Sequence, residues 1–326
     1  MPYFTKINGV YNPINTTDMN IDKDFTFQTI KLTLDYEGEV TATLISSKRN
    51  VGNRKSVLYL HGYNDYFFHA HMAEKFNENN FDFYALDLRK YGRSLLKHQH
   101  PNYCKDIQEY FEEISIAIRE IDKLTKVHLY LFGHSTGGLI ASSYMNYGAE
   151  RNRINALILN SPFLDFYQSL FEKFFSYWGS KIISTIAPYA KINGALPPVY
   201  AQSVNKNFYG EWDYNLDWKP LKGFPTFFRW VVAISIAQQK LADSNIKVPI
   251  LVMHSSASKK INTFSEEPMS RDTVLDIEDI KRVGVTLGDN VTLLQIDHAL
   301  HDIFLSTKAV RETAFDKMFS WILKVK

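Results

Sequence analysis

A single cysteine, Cys104, stands in 326 residues, which excludes an internal disulfide framework and any multi-cysteine zinc site. It reads as a lone thiol in or beside a helix. Charge of one sign is missing as well: 37 basic side chains face 35 acidic ones, a net charge of +2. With no Lys/Arg block to track phosphates, nucleic acid is not an expected partner. Long apolar runs are also absent. The run WVVAISIA ends at Gln238 and Gln239, well short of the roughly 18 to 20 residues that a membrane span requires. The opening MPYFTKINGVYNPINTTDMN has no basic region followed by an apolar stretch, so no signal peptide is expected and a cytoplasmic location is the default.

What is present is an ordinary globular mixture, 45% hydrophobic and 22% charged, with enough apolar side chain for a sizeable core. FTFQTIKLTL and VTATLIS, split by DYEGE, predict a hairpin over about 25–47. SVLYLHG (56–62), FDFYALDLR (81–89) and VHLYLFGHS (127–135) are nearly continuous in apolar residues, as strands buried on both faces tend to be. Helical patterns separate them at 69–79 and 104–125, the latter with Ile107, Phe111, Ile114, Ile118 and Ile121 on one face. Another helix from about 138 leads to the strand INALILNSP (154–162). Strand, helix, strand in this order implies a parallel sheet.

The rhythm stops at Phe163 and resumes with VPILVMHSS (248–256), a helix near 274–283, VTLLQID (291–297) and a last helix. The fold class is therefore α/β: a mostly parallel central sheet flanked by helices, with a mainly helical cap inserted after the sixth strand. Residues 1–162 and 246–326 form the expected core, and 163–245 the aromatic-rich cap. Its Phe166, Phe171, Phe174, Phe175, Trp178, Trp212, Tyr214 and Trp218 suggest the wall of an apolar pocket.

Gly133, His134, Ser135, Thr136 and Gly137 spell G-x-S-x-G between a predicted strand and a predicted helix. There the serine sits on a sharp bend with its hydroxyl exposed, and flanking residues must be small. Ser135 thereby becomes a candidate nucleophile, and the Thr136 N–H, at a helix N-terminus, a candidate donor to an oxyanion. His134 is read as packing or orienting the loop.

With YLHGYND (59–65), LDLRKYGRS (86–94), GHSTGG (133–138) and HALHDIFLS (298–306), the chain resembles the α/β-hydrolase superfamily. Within it the likeness is to the branch of monoglyceride lipases, lysophospholipases and serine aminopeptidase-like hydrolases, over roughly 55–165 and 245–325. The resemblance implies that the Tyr63 N–H is the second oxyanion donor. DLRKYGRS looks like the family's D-x-R-G-x-G-x-S turn with Lys90 in place of a glycine, so Asp87, Arg89 and Ser94 are expected to be architectural. A serine requires a base, and the family order Ser, Asp, His points to the loop holding His298 and His301. His301, followed by Asp302, fits the pattern better, with His298 as the alternative. For the acid, Asp272-Thr273-Val274 fits; Asp276, Glu266 and Glu267 share its loop. HQHP (98–101) with His69 and His71 lacks a third ligand, so these are expected to be surface or loop histidines, and no metal or cofactor is expected.

The implied activity is that of a serine esterase cleaving acyl-glycerols, lysophospholipids or similar apolar acyl esters. A peptidase or acyltransferase using the same residues is an alternative, with Glu172 or Glu211 to read an amino terminus. A ligand-binding protein without turnover is a second. The expected partner is a small-molecule apolar ester.

Overall fold

The computed structural model describes residues 20–52, 55–124, 128–192, 198–261 and 267–325. Residues 1–19, Pro197 and Glu266 lie outside them. The apolar runs become β1 (Phe25–Lys31), β2 (Thr41–Ser47), β3 (Lys55–Leu60), β4 (Asp82–Asp87), β5 (His128–His134) and β6 (Ile154–Asn160). After a small ribbon of β7 (Lys191–Ile192) and β8 (Thr226–Phe227) come β9 (Ile250–Ser255) and β10 (Val291–Ile296). Eight of them lie in one sheet in the order β1-β2-β4-β3-β5-β6-β9-β10. β2 runs antiparallel to both neighbours and every other pair is parallel.

Helices are α1 (Ile21–Asp24), α2 (Ala70–Glu78), α3 (Phe111–Leu124), α4 (Thr136–Tyr147), α5 (Leu170–Ile186), α6 (Val199–Val204), α7 (Phe228–Lys240), α8 (Ile277–Gly284) and α9 (Lys308–Ile322). Alternation along each strand sorts them into two layers. Leu58, Leu60, Leu131 and Leu157 pack with α3, α4 and α7, whereas Val57, Tyr59, Phe132 and Ile158 pack with α2 and α9. The chain leaves β3 for β4 on one side and then crosses to β5 on the other. That reversal opens a crevice at the carboxyl ends of β3 and β5, where ligands bind in open α/β sheets.

Lys90 takes up a left-handed backbone, φ 66°, which explains a glycine at the matching place in the family's turn and costs a lysine roughly 1–2 kcal/mol. Its fully buried ammonium is held by Asp35 (2.7 Å) and Glu37 (2.6 Å) from the β1–β2 turn, so the strained turn and the hairpin brace one another.

The aromatics between β6 and β9 divide in a way the composition did not predict. Tyr214 is buried with Tyr66, Phe68 and Leu300, and Trp212 and Trp218 pack against the same cluster; these rings weld the inserted segment to the loops that follow β3 and β10. On α5, by contrast, Phe171, Phe174, Phe175 and Trp178 are exposed. α7 enters the main core through Trp230, Val231 and Ile234. Among the described residues, no helix is long and apolar enough to cross a membrane.

Candidate active site

β5 ends at His134 and α4 begins at Thr136. Ser135 joins them at φ 52°, ψ −118°, a region that side chains other than glycine's avoid. The bend holds because nothing bulky stands around it. A Cβ on Gly133 would lie 2.5 Å from the Gly137 carbonyl oxygen, and one on Gly137 would lie 2.4 Å from that of His61. Gly138 admits Pro162 in the same way, at 2.7 Å. The Ser135 N–H donates to the Asn160 carbonyl on β6 (3.0 Å), tying the elbow to the neighbouring strand.

His301, from the loop after β10, meets the serine. Its Nε2 lies 3.0 Å from Ser135 Oγ and its Nδ1 2.8 Å from Asp272 Oδ2. Asp272 is fully buried, and its other oxygen accepts the Val274 and Leu275 N–H groups, each at 2.8 Å. With the carboxylate so fixed, the imidazole proton belongs on Nδ1 and Nε2 faces the hydroxyl as an acceptor. His298 is exposed, in a left-handed turn at φ 59°, and Asp276 caps α8 through the Glu278 N–H. The structure thus brings together Ser135, His301 and Asp272 and leaves His298 and Asp276 outside, while Glu266 and the Glu267 side chain lie beyond what the structure describes.

The His61–Tyr63 turn packs on the elbow, since a Cβ on Gly62 would lie 3.2 Å from that of Ser135. The Leu88 N–H donates to His61 Nε2 (3.1 Å), and Nδ1 then donates to the Gly62 carbonyl (2.8 Å). Burial lowers the His61 pKa, so this ring is a neutral brace. The Tyr63 ring packs on Trp230 at 4.2 Å and its hydroxyl donates to Thr226, so any part in chemistry falls to its backbone amide. Thr136 opens α4, where first-turn amides lack helical partners.

A second polar cluster lies beneath. Asp302, fully buried, receives His69 Nε2 (3.0 Å), Asn160 Nδ2 (2.8 Å) and the Phe304 N–H (3.1 Å). Burial alone would raise its pKa; nearby His134, together with the bonds from His69 and Asn160, holds it well below the usual carboxylate range. Of the expected surface or loop histidines, His69 does lie in the loop before α2 but is fully buried, and the expectation fails for His71, within α2, which donates to the Phe304 carbonyl and whose pKa burial lowers to about 3. It holds for His98 and His100, bonded to Glu39 and Glu37 at the hairpin turn. Asp65, His69 and Asp302 present three ligand atoms within 4.8 Å. Lys219 occupies Asp65 at 2.6 Å and His69 occupies Asp302, so a cation would have to displace a buried lysine.

Beside the triad lies a cavity lined by Tyr63, Tyr200, Lys219, Lys222, Thr273 and Val274, among others. None of the aromatics read from the sequence as its wall lines it. Tyr200 does, its ring 5.4 Å from that of His301.

The sequence profile of the serine aminopeptidase S33 family matches residues 52–307. The chain belongs to that family of hydrolases. Its fold is shared with a soluble variant of monoglyceride lipase from Saccharomyces cerevisiae, 17% identical, TM-score 0.68, covering 95% of this chain and 100% of that one. It is shared too with the Paleococcus ferrophilus monoacylglycerol lipase, 18% identical, TM-score 0.62, covering 92% and 100%. A thermostable carboxyl esterase from Bacillus coagulans, 14% identical, scores 0.63 over 92% of this chain and 98% of its own. No curated protein matches at the level of sequence. At such identities the likeness speaks for the α/β-hydrolase fold.

Sequence reasoning missed Asp302, His69, Asn160, Lys219 and Tyr200. Asp302 carried a signal, directly after the candidate base, and His69 one as a histidine two residues from His71, read there as a surface or loop residue. The others come from elements far apart in the chain, and Lys219 reaches the cluster 154 residues after Asp65.

Proposed function

We propose that the chain is a serine carboxylic-ester hydrolase acting through an acyl-enzyme on Ser135. The observation that carries this reading is the unbroken chain of hydrogen bonds from Ser135 Oγ through His301 to Asp272, set at a strained elbow and largely shielded from water. Ser135 Oγ attacks the ester carbonyl carbon while His301 Nε2 takes its proton, and the N–H groups of Tyr63 and Thr136 receive the oxyanion. The imidazolium, stabilised by Asp272, returns the proton to the departing alkoxide. Water then attacks the acyl-enzyme with His301 again as base, releasing the acid and restoring Ser135.

Ester is favoured over peptide by the charge around the site. Recognition of a substrate amino terminus calls for a carboxylate, and the described residues lining the cavity include Lys222, and Lys219 paired with Asp65, but no acid. Glu172 is spent on capping α5 with Ser169, and Glu211 pairs with Arg311. The proposed substrates are apolar acyl esters of the acyl-glycerol or lysophospholipid kind, with residues 163–245 as the cap over the site. The test is fluorophosphonate labelling followed by a p-nitrophenyl ester panel of increasing chain length, on wild type and Ser135→Ala. Labelling at Ser135 and serine-dependent turnover rising with chain length are expected. Wild-type protein that is neither labelled nor active would sink the proposal, and faster cleavage of aminoacyl arylamides than of esters would establish a peptidase.

A further inference from the structure

Two carboxylate–histidine pairs lie close together under the elbow, and the chemistry above uses only Asp272–His301. Asp302–His69 is equally buried, with both side chains at zero exposure. Asn160 connects it to the nucleophile. The backbone carbonyl of Asn160 accepts the Ser135 N–H (3.0 Å) and His134 Nδ1 (3.1 Å). Its side chain donates to Asp302 (2.8 Å) and accepts the Ile303 N–H (3.3 Å). One residue of β6 is thus bonded both to the nucleophile's own amide and to the residue after the base. His134, next to Ser135, turns its Nε2 to within 3.8 Å of Asp302 Oδ2, and its ring lies 5.0 Å from that of His301.

We infer that Asp302 is a positioning residue for the Ser135–His301 pair. It clamps the turn that carries the nucleophile to the loop that carries the base, and it keeps a negative charge on the His134 side of the imidazole. This rests on the reading of Ser135 and His301 proposed above. A misplaced base costs rate because the transfer demands near-linear contact between Oγ and Nε2, and a fixed anion nearby favours the imidazolium that forms. The charged and titratable groups around His301 are Asp272, His134 and Tyr200. Those around Asp302 are His69, His71, His134, Tyr59 and Tyr200, with Asp65 beyond, neutralised by Lys219.

Asp302→Asn isolates the charge. Among the described residues His69 Nδ1 has no hydrogen-bond partner, so the ring can move its proton there and accept from the new carboxamide, preserving the packing. For p-nitrophenyl butyrate, kcat is expected to fall about ten- to a hundredfold, the worth of a hydrogen bond to a charged group. KM should stay within about twofold, and the acidic limb of the pH–rate profile should move to lower pH. Wild-type kcat in Asp302→Asn would overturn the inference, as would a kcat loss with an unmoved acidic limb, which a merely structural brace would give. Should Asp302→Asn fail to fold, Asp302→Glu decides. It keeps the charge but displaces it, so kcat should drop with the limb in place, and wild-type kcat there overturns the inference. Failure of wild-type Ser135 to react with fluorophosphonate would instead overturn the underlying reading.

Discussion

Replacing Asp272 by asparagine separates what this residue does for the fold from what it does for the base. In the native protein Oδ1 holds the Val274 and Leu275 N–H groups at 2.8 Å each, and Oδ2 holds His301 Nδ1. The carboxamide has one acceptor for these three donors. Turning its NH2 toward the two backbone amides would leave both buried donors unpaired, at about 1–3 kcal/mol each. Its oxygen therefore stays with them and its NH2 faces His301 Nδ1, which must then become an acceptor. The imidazole proton moves to Nε2, against Ser135 Oγ, where a proton acceptor is required.

The expected loss in kcat is about 10⁴-fold, the magnitude for the equivalent substitution in the serine-protease triad, or about 5 kcal/mol of barrier. Thermal stability should change little, because the backbone amides keep their acceptor. Asp272→Ala should lose activity and also stability. The assay is p-nitrophenyl ester turnover with fluorophosphonate labelling rates, alongside melting curves for all three proteins. Turnover in Asp272→Asn within tenfold of wild type, with the fold intact, would refute the argument that the acid sets the tautomer of the base.

Gly137→Ala would set a Cβ 2.4 Å from the His61 carbonyl oxygen and 2.5 Å from that of Leu60. Both are backbone atoms of the turn under the elbow, so about 1–3 kcal/mol of stability and most labelling of Ser135 should be lost; a stable, fully active variant would contradict the packing. Burial also makes stability depend on pH, since it lowers the His71 pKa to about 3 and that of His134 to about 4. Both folded values lie below the unfolded value of about 6.5, so as pH falls the unfolded chain takes up protons first. Stability is full above pH 6.5 and declines below it by about 1.4 kcal/mol per pH unit per histidine. Unfolding free energies from urea titrations at pH 6.5 and 5.5 should therefore differ by about 2 kcal/mol, because the unfolded histidines are already half protonated at pH 6.5; equal values would show these rings to be protonated or exposed.

The legible parts of this chain are those in which a physical demand repeats along the sequence or sits within a few residues. β3, β4 and β5 were readable because strands buried on both faces have no polar side to hide. Ser135 was readable because its bend excludes side chains at Gly133 and Gly137, and glycines at fixed offsets survive as a pattern. Asp272 was legible only through the resemblance, by its fit to the family's pattern; in the structure it accepts the Val274 and Leu275 amides. His298 and His301 could not be separated by composition. What separates them is that His298 takes the left-handed turn at φ 59°, so that the chain re-enters the core with His301 facing the serine.

The insertion shows why density of a residue type is a weaker guide than position. Aromatic content alone could not tell a ring that seals an interface from one that faces solvent, and the outcome was set by partners from elsewhere. Trp212 donates to the Leu305 carbonyl and packs on His71, and Trp218 packs on Tyr66. All of those partners belong to segments before β4 or after β10. Phe171, Phe174 and Phe175 have one another instead.

The clamp beneath the elbow was illegible for a related reason. His69, Asn160 and Asp302 are separated by up to 233 residues, and each alone reads as an ordinary polar side chain. Sheet order brings them together, because β3, β5 and β6 are adjacent and their carboxyl ends all empty into the same crevice. A buried carboxylate persists there only because three donors reach it at once. Such a requirement constrains residues across the fold without leaving any spacing in the chain. The nucleophile is therefore announced by its local geometry, while the groups that aim it become visible only when the sheet is assembled.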